Sequence, residues 1–495
     1  MNPKSKVPAL VLLGFVVWFT AAWINIFWFT CPSADTWCYM GPAAGGGTPF
    51  HLSALFLGEF LRSNEVWGLH FPAAPLFYSA VFAVVKFQPA VGIALMLALW
   101  ALLGFASGRI AFQATRQVFW SVVAGAIVLV DHSMLSVVQF ERPELLASLD
   151  LILVWFALSG AAPLNRRFRG AIAFFAAFFL PLVHPVTLVM GPAIGLILWL
   201  GTRNEKQVRR PTLTLAAFGY IAGFATLVLW FVLQPDAWKQ FSDHASVASG
   251  TYNYGRTFVY ALWHFYTPTF TGCFLWGIAI VFCVPIVLRS IRSGEGGNMV
   301  LCIGGAMLLL GVIFLQKFSN EYYIAVLLPE AACMAVVFLH RLDADILGGK
   351  RHQGFIALTI LFVAAHSLVW ATRTKKFVDA GEPRIRDELR GIVQGLPHLH
   401  HVLIPEVLWE AALPLTGSCR LNTLPQMATA ARRLSYENTV YPQLESGDIV
   451  IVDRLQLNQP MEQFDRVSFT AIANFKHLFP GRIVWGYDLT VWRKN

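Results

Sequence analysis

Residues 7–39 read VPALVLLGFVVWFTAAWINIFWFTCPSADTWCY and decide the fold class of this chain. No charge occurs from residue 7 to residue 34, and this run exceeds the roughly 20 apolar residues that cross a bilayer. It is too long for the core of a secretory signal and has no clean Ala-x-Ala cleavage site. The run therefore predicts an uncleaved first membrane helix. Asp35 is then the first charge on the far side, with Trp37 and Tyr39 at the depth of the membrane interface.

The composition of the whole chain is that of a membrane protein. Of 495 residues, 56% are hydrophobic and only 13% are charged, and the mean hydropathy is +0.58. These values exclude a soluble globular protein. The 37 Lys and Arg exceed the 28 Asp and Glu, but they lie in small clusters between apolar runs. Such clusters orient membrane helices, so we predict a polytopic α-helical membrane protein with no nucleic-acid partner.

Apolar runs in residues 1–371 predict about eleven transmembrane helices. Basic clusters such as 165–169 mark the inner loops, which places the N-terminus in the cytoplasm and the C-terminus outside. We expect a multi-pass protein of a bacterial inner membrane. The segment 31–88 forms a large first outer loop that contains a shallow helix at 76–87. The predicted crossings include 87–108, 117–138, 145–161, 211–233 and 322–339.

The composition changes at about residue 372. The last 124 residues hold 15 basic and 13 acidic side chains, a balance typical of a water-soluble module. Their pattern predicts a helix at 383–396, buried strands at 401–404 and 448–452, and a strand pair at 482–493. We therefore predict a small α/β domain over 372–495, on the periplasmic or extracytoplasmic side.

Charged residues gather at the predicted outer ends of the helices. The exposed loop QFERPE, residues 139–144, holds Glu141, Arg142 and Glu144 on the same side as Asp35. Pro143 fits the first turn of the next helix, and the charge of Glu144 suits the dipole of that helix. Capping of this helix alone is therefore one explanation for the charged residues of the loop. Capping needs one acid, however, and this loop has two with an arginine between them.

Two further outer corners carry polar groups. His184 precedes Pro185 in a turn between short helices, where it could meet an anion or satisfy freed carbonyls. The stretch KFSNEYY at 317–323 supplies a cation, Lys317, and a phenol, Tyr322. Internal pairing is the more frequent explanation for polar residues within spans. Three are nevertheless shallow enough to line a cavity: Asp131, His132 and Glu330, the last about two turns into its span.

Other chemical signals are weak. Cys31 and Cys38 would lie outside, where a disulfide can persist, and whether they are bridged or free stays open. The cluster at 398–401 has no acidic or cysteine ligand nearby and does not predict a metal site. The sequence has no Walker motif, no zinc spacing and no Ser-His-Asp order.

The order and placement of these motifs resemble the GT-C superfamily of integral-membrane glycosyltransferases. The most similar branch includes dolichyl-phosphate-mannose protein mannosyltransferases and the bacterial lipid A aminoarabinose transferase. Asp35-Thr-x-x-Tyr39 resembles the acidic motif of the first outer loop, and HFPAAPLFY at 70–78 resembles the surface helix after it. ERPELLA at 141–147 resembles the Arg-Pro-Asp-Ala-Leu-type opening of the fourth span. KFSNEYYIAVLLP at 317–329 resembles a late motif of basic, polar, tyrosine and proline residues.

The resemblance implies that a sugar moves, with inversion, from a polyprenyl-phosphate donor to a hydroxyl on a glycan, lipid or protein at the outer face. It implies Asp35 as the base, and Glu144 with Glu141 as residues that orient hydroxyls. The residues implied at the lipid phosphate and elsewhere on the substrate are Arg142, Lys317, His184, Tyr39, His70 and Tyr322. Two departures, Asp-Thr for Asp-Glu in the first loop and His184 for lysine, leave the use of a divalent metal open.

Two functions of other classes remain compatible with the sequence. A transporter or flippase for a lipid-linked glycan would predict related halves and polar residues on both membrane sides, whereas this chain has an asymmetric outer cluster. A catalytically silent scaffold would be explained by the missing second acid in the first loop. Neither requires Asp35 for its activity, so an Asp35→Asn variant separates both from the enzyme.

Overall fold

A computed structural model gives the structure of this chain. The residues that it describes are 71–85, 89–139, 142–159, 165–185, 187–188, 209–233, 238, 241–242, 325–326, 328–345, 382–395, 401–405, 420–424, 444–453, 468–478 and 486–495. They divide into two compact units. The described residues of the first unit lie in 71–74 and 93–345, and those of the second lie in 75–92 and from 382 onward.

The described part of the first unit is helical. Two helices contain stretches long and apolar enough to cross a membrane, Val91–Thr115 and Pro211–Leu233. Several of the eleven predicted crossings lie outside the described residues, so their number stays a prediction. The helices of the described residues are α1 Ala73–Val84, α2 Pro89–Thr115, α3 Val118–Val130, α4 His132–Gln139, α5 Glu144–Ser159, α6 Arg166–Val183, α7 Arg209–Leu233, α8 Leu328–Asp345 and α9 Glu382–Gln394.

Helices α2 and α3 pack closely through small residues. A Cβ added at Gly125 would lie 3.0 Å from the carbonyl oxygen of Gly104, and the Ser121 hydroxyl donates to the Gly108 carbonyl at 2.7 Å. The Trp100 indole N–H donates to the Val128 carbonyl at 3.2 Å. Small residues allow membrane helices to approach at backbone distance, so these contacts fix the α2–α3 pair.

Helices α6 and α7 form a second close pair. Asn165 caps α6, since its side chain accepts from the Phe168 N–H at 3.0 Å. The helix therefore begins inside the basic cluster 165–169, for which the sequence predicts an inner loop. The outward faces of both helices are apolar, as expected for surfaces in contact with lipid, and include Phe168, Phe175, Phe218, Ile221, Phe224 and Val232.

Three predicted helix boundaries were wrong. Helix α2 does not end before Arg109 but continues to Thr115, because the Arg109 guanidinium lies 5.6 Å from the Phe112 ring centre and is accommodated within the helix. The span predicted at 117–138 is two helices that break at Asp131, whose backbone is extended. Helix α8 begins at Leu328, where Pro329 favours the first turn, so Glu330 lies in that turn rather than two turns deep.

The described residues of the second unit include a five-stranded mixed sheet. Its strands are β1 His401–Pro405, β2 Arg420–Leu424, β3 Ile449–Asp453, β4 Phe469–Leu478 and β5 Gly486–Lys494. Their order is β2-β1-β3-β5-β4, with β2, β1 and β3 parallel and β3, β5 and β4 antiparallel. Every residue of β3 is buried, as its unbroken apolar pattern predicts.

The predicted helix at 383–396 and strands at 401–404 and 448–452 correspond to α9, β1 and β3. The terminal hairpin or strand pair predicted at 482–493 was wrong for the described residues 486–493, which belong to one strand, β5, paired with the earlier strand β4. Strand β2 was not predicted. The division into domains at residues 371 and 372 stays a prediction.

Candidate functional site: a buried Arg-Glu-His cluster

The loop before α5 is fixed by backbone hydrogen bonds. The Arg142 N–H donates to the Val137 carbonyl at 3.0 Å, which ties the start of α5 to the end of α4. Leu145 N–H donates to the Arg142 carbonyl at 3.3 Å, and Ala147 N–H donates to the Pro143 carbonyl at 3.1 Å. Pro143 has no N–H to lose and its ring fixes φ for the first helical turn. Arg142 and Glu144 therefore flank Pro143 in one defined conformation.

The side chains of Arg142 and Glu144 form a bidentate ion pair. Arg142 Nη2 donates to Glu144 Oε1 at 2.8 Å, and Arg142 Nε donates to Glu144 Oε2 at 3.1 Å. Glu144 is fully buried and Arg142 is 7% exposed. The prediction of an exposed loop was thus wrong for both residues. Mutual neutralisation and paired hydrogen bonds make their burial tolerable, since an isolated buried charge would be costly.

His184 joins this ion pair from the end of α6. Its Nε2 lies 3.7 Å from Glu144 Oε1, and the residue is 7% exposed. The Thr187 hydroxyl donates to the carbonyl oxygens of Leu180 and His184, and Thr187 N–H donates to the His184 carbonyl at 3.0 Å. Thr187 thus satisfies a carbonyl at the helix end, and the His184 ring lies beside a carboxylate. Glu144, Arg142 and His184 form what we call the outer cluster.

Glu144 is an ionised carboxylate at the entrance to α5. Burial raises the pKa of Glu144, but the charges of Arg142 and His184 and the hydrogen bond from Arg142 outweigh it. The pKa of Glu144 therefore lies below its ordinary value. The outer cluster thus places one guanidinium and one imidazole beside a carboxylate that stays charged at neutral pH.

We expect the outer cluster to stabilise the fold at neutral pH and to lose this effect in acid. Because the folded-state pKa of Glu144 is lowered, its contribution is complete above the unfolded value of about 4.3 and is lost as the pH falls through the folded-state pKa. Thermal unfolding of the wild type and of Glu144→Gln, from about pH 8 to about pH 3, measures this contribution.

The difference in stability between the two proteins should be constant at neutral pH and should shrink below about pH 4. Asp387→Asn is the matched control, because its carboxylate is 73% exposed and pairs with Arg390 only at 3.3 Å on the surface of α9. Its effect should be small at every pH. A Glu144→Gln difference that does not shrink in acid would contradict this account of the cluster.

The other predicted site residues lie outside the described residues. These are Asp35, Tyr39, His70, Glu141, Lys317 and Tyr322. The structure thus brings together three of the nine predicted residues, and the roles of all nine stay predictions. Among the described residues, no group of three or more His, Cys, Asp or Glu side chains is arranged to hold a metal ion.

One contact of the site was not predicted. The Ser148 hydroxyl, one turn after Glu144 in α5, donates to the Ala325 carbonyl at 3.4 Å. This bond links the start of α5 to the segment just before α8. No local pattern in the sequence predicts this hydrogen bond, because the two residues are 177 positions apart. A buried serine is also compatible with a hydrogen bond inside its own helix.

Comparison with known proteins supports the fold. No protein-family model and no curated protein sequence matches the chain. Among solved structures, the chain is similar to ArnT from Cupriavidus metallidurans bound to undecaprenyl phosphate, with a TM-score of 0.58, 15% identity and 97% of each chain covered. The apo state of the same protein gives a TM-score of 0.56 at 15% identity, over 97% of this chain and 98% of ArnT.

An oligosaccharyltransferase from Archaeoglobus fulgidus is also similar, with a TM-score of 0.44 and 12% identity, over 89% of this chain and 69% of that one. The match to ArnT extends along almost the whole of both chains, so it includes the membrane region and the C-terminal region alike. The likeness to ArnT is one of fold, and it agrees with the resemblance predicted from the sequence.

Proposed function

We propose that this chain is a membrane glycosyltransferase that moves a sugar, with inversion, from a polyprenyl-phosphate donor to a hydroxyl of a glycan, lipid or protein. The observation that carries the proposal is the buried outer cluster of Arg142, Glu144 and His184 in a fold similar to that of ArnT, which was solved with undecaprenyl phosphate. In this proposal residues 1–371 form the membrane domain of a bacterial inner-membrane protein with a cytoplasmic N-terminus. Residues 372–495 form an extracytoplasmic domain.

The cations of the outer cluster suit a departing lipid phosphate. Arginine binds phosphate oxygens through its planar fork, and a positive group beside a leaving phosphate stabilises the charge that develops in the transition state. Both oxygens of Glu144 accept from Arg142, so Glu144 positions the guanidinium. Lys317 adds a further cation to the phosphate in this proposal.

Asp35 acts as the base. Its carboxylate takes the proton of the acceptor hydroxyl while the hydroxyl oxygen attacks the anomeric carbon of the sugar. The bond from that carbon to the phosphate oxygen breaks, and the polyprenyl phosphate leaves with its electron pair. An inverting transfer of this kind needs one base, whereas a retaining hydrolase needs two carboxylates. Glu141, Tyr39, His70 and Tyr322 are assigned to the hydroxyls of donor and acceptor.

Purified protein in liposomes tests the proposal. Labelled sugars on undecaprenyl phosphate, covering hexoses and pentoses, are offered together with membrane-extracted acceptors, and transfer is compared between wild type and Asp35→Asn. We expect transfer by the wild type and a loss of about 100-fold or more in the variant, with unchanged abundance and thermal unfolding.

Absence of transfer from every donor by folded wild-type protein would favour a transporter or flippase, or a scaffold. Transfer that survives in Asp35→Asn would keep the enzyme but move the base to Glu141 or Glu144. The assay thus separates the function of the chain from the role of one residue.

A further inference from the structure

Glu330 is a buried acid that the proposed mechanism does not use. It lies in the first turn of α8 and has no exposed surface. Neither of its carboxylate oxygens accepts a hydrogen bond from any residue that the structure describes. It differs in this respect from Glu144, whose two oxygens are both bonded to Arg142.

Two contacts fix the position of Glu330 in the first unit. Ala325, five residues before it, accepts from Ser148, which is one helical turn from Glu144. Cys333, three residues after it on the same face of α8, donates through Sγ to the Ser107 carbonyl of α2 at 3.4 Å. These bonds tie the segments on either side of Glu330 to α2 and, through Ser148, to the first turns of α5.

A buried carboxyl group without a partner needs an explanation. Its desolvation is unfavourable, and an apolar residue of the same size would avoid this penalty. Acidic residues at membrane depth are accordingly rare and most often belong to a substrate path. Among the described residues, the side-chain hydrogen bonds that connect this region to α5 and α2 come from Ser148 and Cys333 and not from Glu330.

The chemistry of a carboxyl group limits what it could bind. A lipid phosphate would be repelled, and the outer cluster already supplies cations for it. A carboxyl group accepts hydrogen bonds from hydroxyls, and a sugar presents several of these. The start of α8 is linked through Ala325 and Ser148 to the helix that begins with the outer cluster. A hydroxyl-binding group in this region suits a sugar that is joined to the phosphate.

We propose that the carboxyl group of Glu330 binds hydroxyls of the sugar that is transferred and so contributes to the choice of donor. This inference rests on the proposed function. It makes Glu330 a substrate-binding residue that discriminates between a sugar-carrying lipid phosphate and the bare one, whereas the outer cluster binds both.

The test measures thermal stabilisation of purified protein by undecaprenyl phosphate and by the same lipid linked to glucose, mannose or arabinose. Glu330→Leu, Glu330→Gln and, as a matched control on the same helix face, Cys333→Ser are compared with the wild type. We expect at least one sugar-linked lipid to stabilise the wild type more than the bare lipid. Glu330→Leu should lose this sugar-specific increment, Glu330→Gln should keep part of it, and Cys333→Ser should keep all of it.

Three results would overturn the inference. One is a sugar-specific increment that survives in Glu330→Leu, and another is its absence from the wild type with every sugar. The third is a large loss of stability in ligand-free Glu330→Leu, which would show that the carboxyl group is paired within the protein. Removal of a buried carboxyl group that has no partner should leave the stability equal or higher.

Turnover gives a second and separate measurement. For the donor that the wild type accepts, Glu330→Leu should raise KM by about 2- to 10-fold with a smaller change in kcat, as expected when one hydrogen bond to the substrate is lost. A sugar-specific increase in thermal stability, without turnover by the wild type or any variant, would contradict the proposed function while supporting the sugar site. Turnover with an unchanged KM in Glu330→Leu would contradict the sugar site alone.

Discussion

Arg142→Met is expected to destabilise the protein by about 3–5 kcal/mol and to abolish sugar transfer. The variant leaves the carboxylate of Glu144 fully buried with only the His184 ring, at 3.7 Å, to compensate its charge. Thermal or denaturant unfolding in detergent measures the loss of stability, and the liposome assay measures transfer. The wild-type pair has three hydrogen bonds between two buried groups. We therefore expect few substitutions in the described residues to lower the free energy of unfolding by more.

A matched arginine provides the control for this prediction. Arg390 in α9 pairs with Asp387 at 3.3 Å, but the two side chains are 37% and 73% exposed. Arg390→Met should change stability by less than about 1 kcal/mol, because exposed ion pairs contribute little. Equal effects of the two arginine substitutions would contradict the assignment of a buried ion pair at Arg142.

The double variant Arg142→Met/Glu144→Met separates stability from function. Replacing both buried charges by apolar side chains of similar size should restore most of the stability, since no unpaired charge remains. Transfer should stay absent, because the cation at the lipid phosphate is gone. Transfer at the wild-type rate in the double variant would show that Arg142 is structural and does not meet the phosphate.

The sequence predicted much of the helical framework because long apolar runs leave few alternatives. It was least reliable where a helix ends without glycine or proline. The break at Asp131 has neither residue, and only the extended backbone of that residue separates α3 from α4. Conversely, Arg109 suggested a loop, yet a long side chain can lie along its own helix, as the contact with Phe112 shows.

The outer cluster was predicted as a set of residues but not as a structure. Arg142 and Glu144 are two positions apart, and residues at that spacing do not face each other within a helix. They meet because Arg142 precedes α5 and Pro143 turns the chain. The contact of Glu144 with His184, 40 positions away, depends on how α5 packs on α6, which no local pattern encodes.

The sheet shows the same limitation. Strands β1 and β3 contain the apolar runs VLI and IVIV, which predict buried strands, whereas β2, RLNTL, has only two apolar residues. Its place at the edge of the sheet relaxes the need for an apolar pattern on both faces, so the strand has little local signal. Pairing across a parallel crossover is decided by tertiary contacts that the sequence alone did not show.

Gly223→Leu is expected to push α6 and α7 apart and to lower the free energy of unfolding by about 3 kcal/mol or more. We expect its effect on stability to be larger than its effect on sugar transfer. A Cβ at Gly223 would meet the carbonyl oxygen of Phe178 and lie 2.9 Å from Pro181 Cγ, and a Cβ at Gly219 would meet the carbonyl oxygen of Phe174. Backbone atoms cannot turn aside as a flexible side chain can, so the helices themselves must move apart. Unfolding in detergent measures the cost.

The same substitution should also reduce sugar transfer, because the end of α6 presents His184 to Glu144 and Pro181 lies one turn before it. Gly391→Ala in α9 is the matched control. Nothing lies within 4 Å of a Cβ added there, so the change should stabilise the protein by about 0.5–1 kcal/mol through helix propensity alone. If Gly223→Leu were tolerated as well as Gly391→Ala, the close contact of α6 with α7 would not hold His184 in the outer cluster, and another element would have to position that ring.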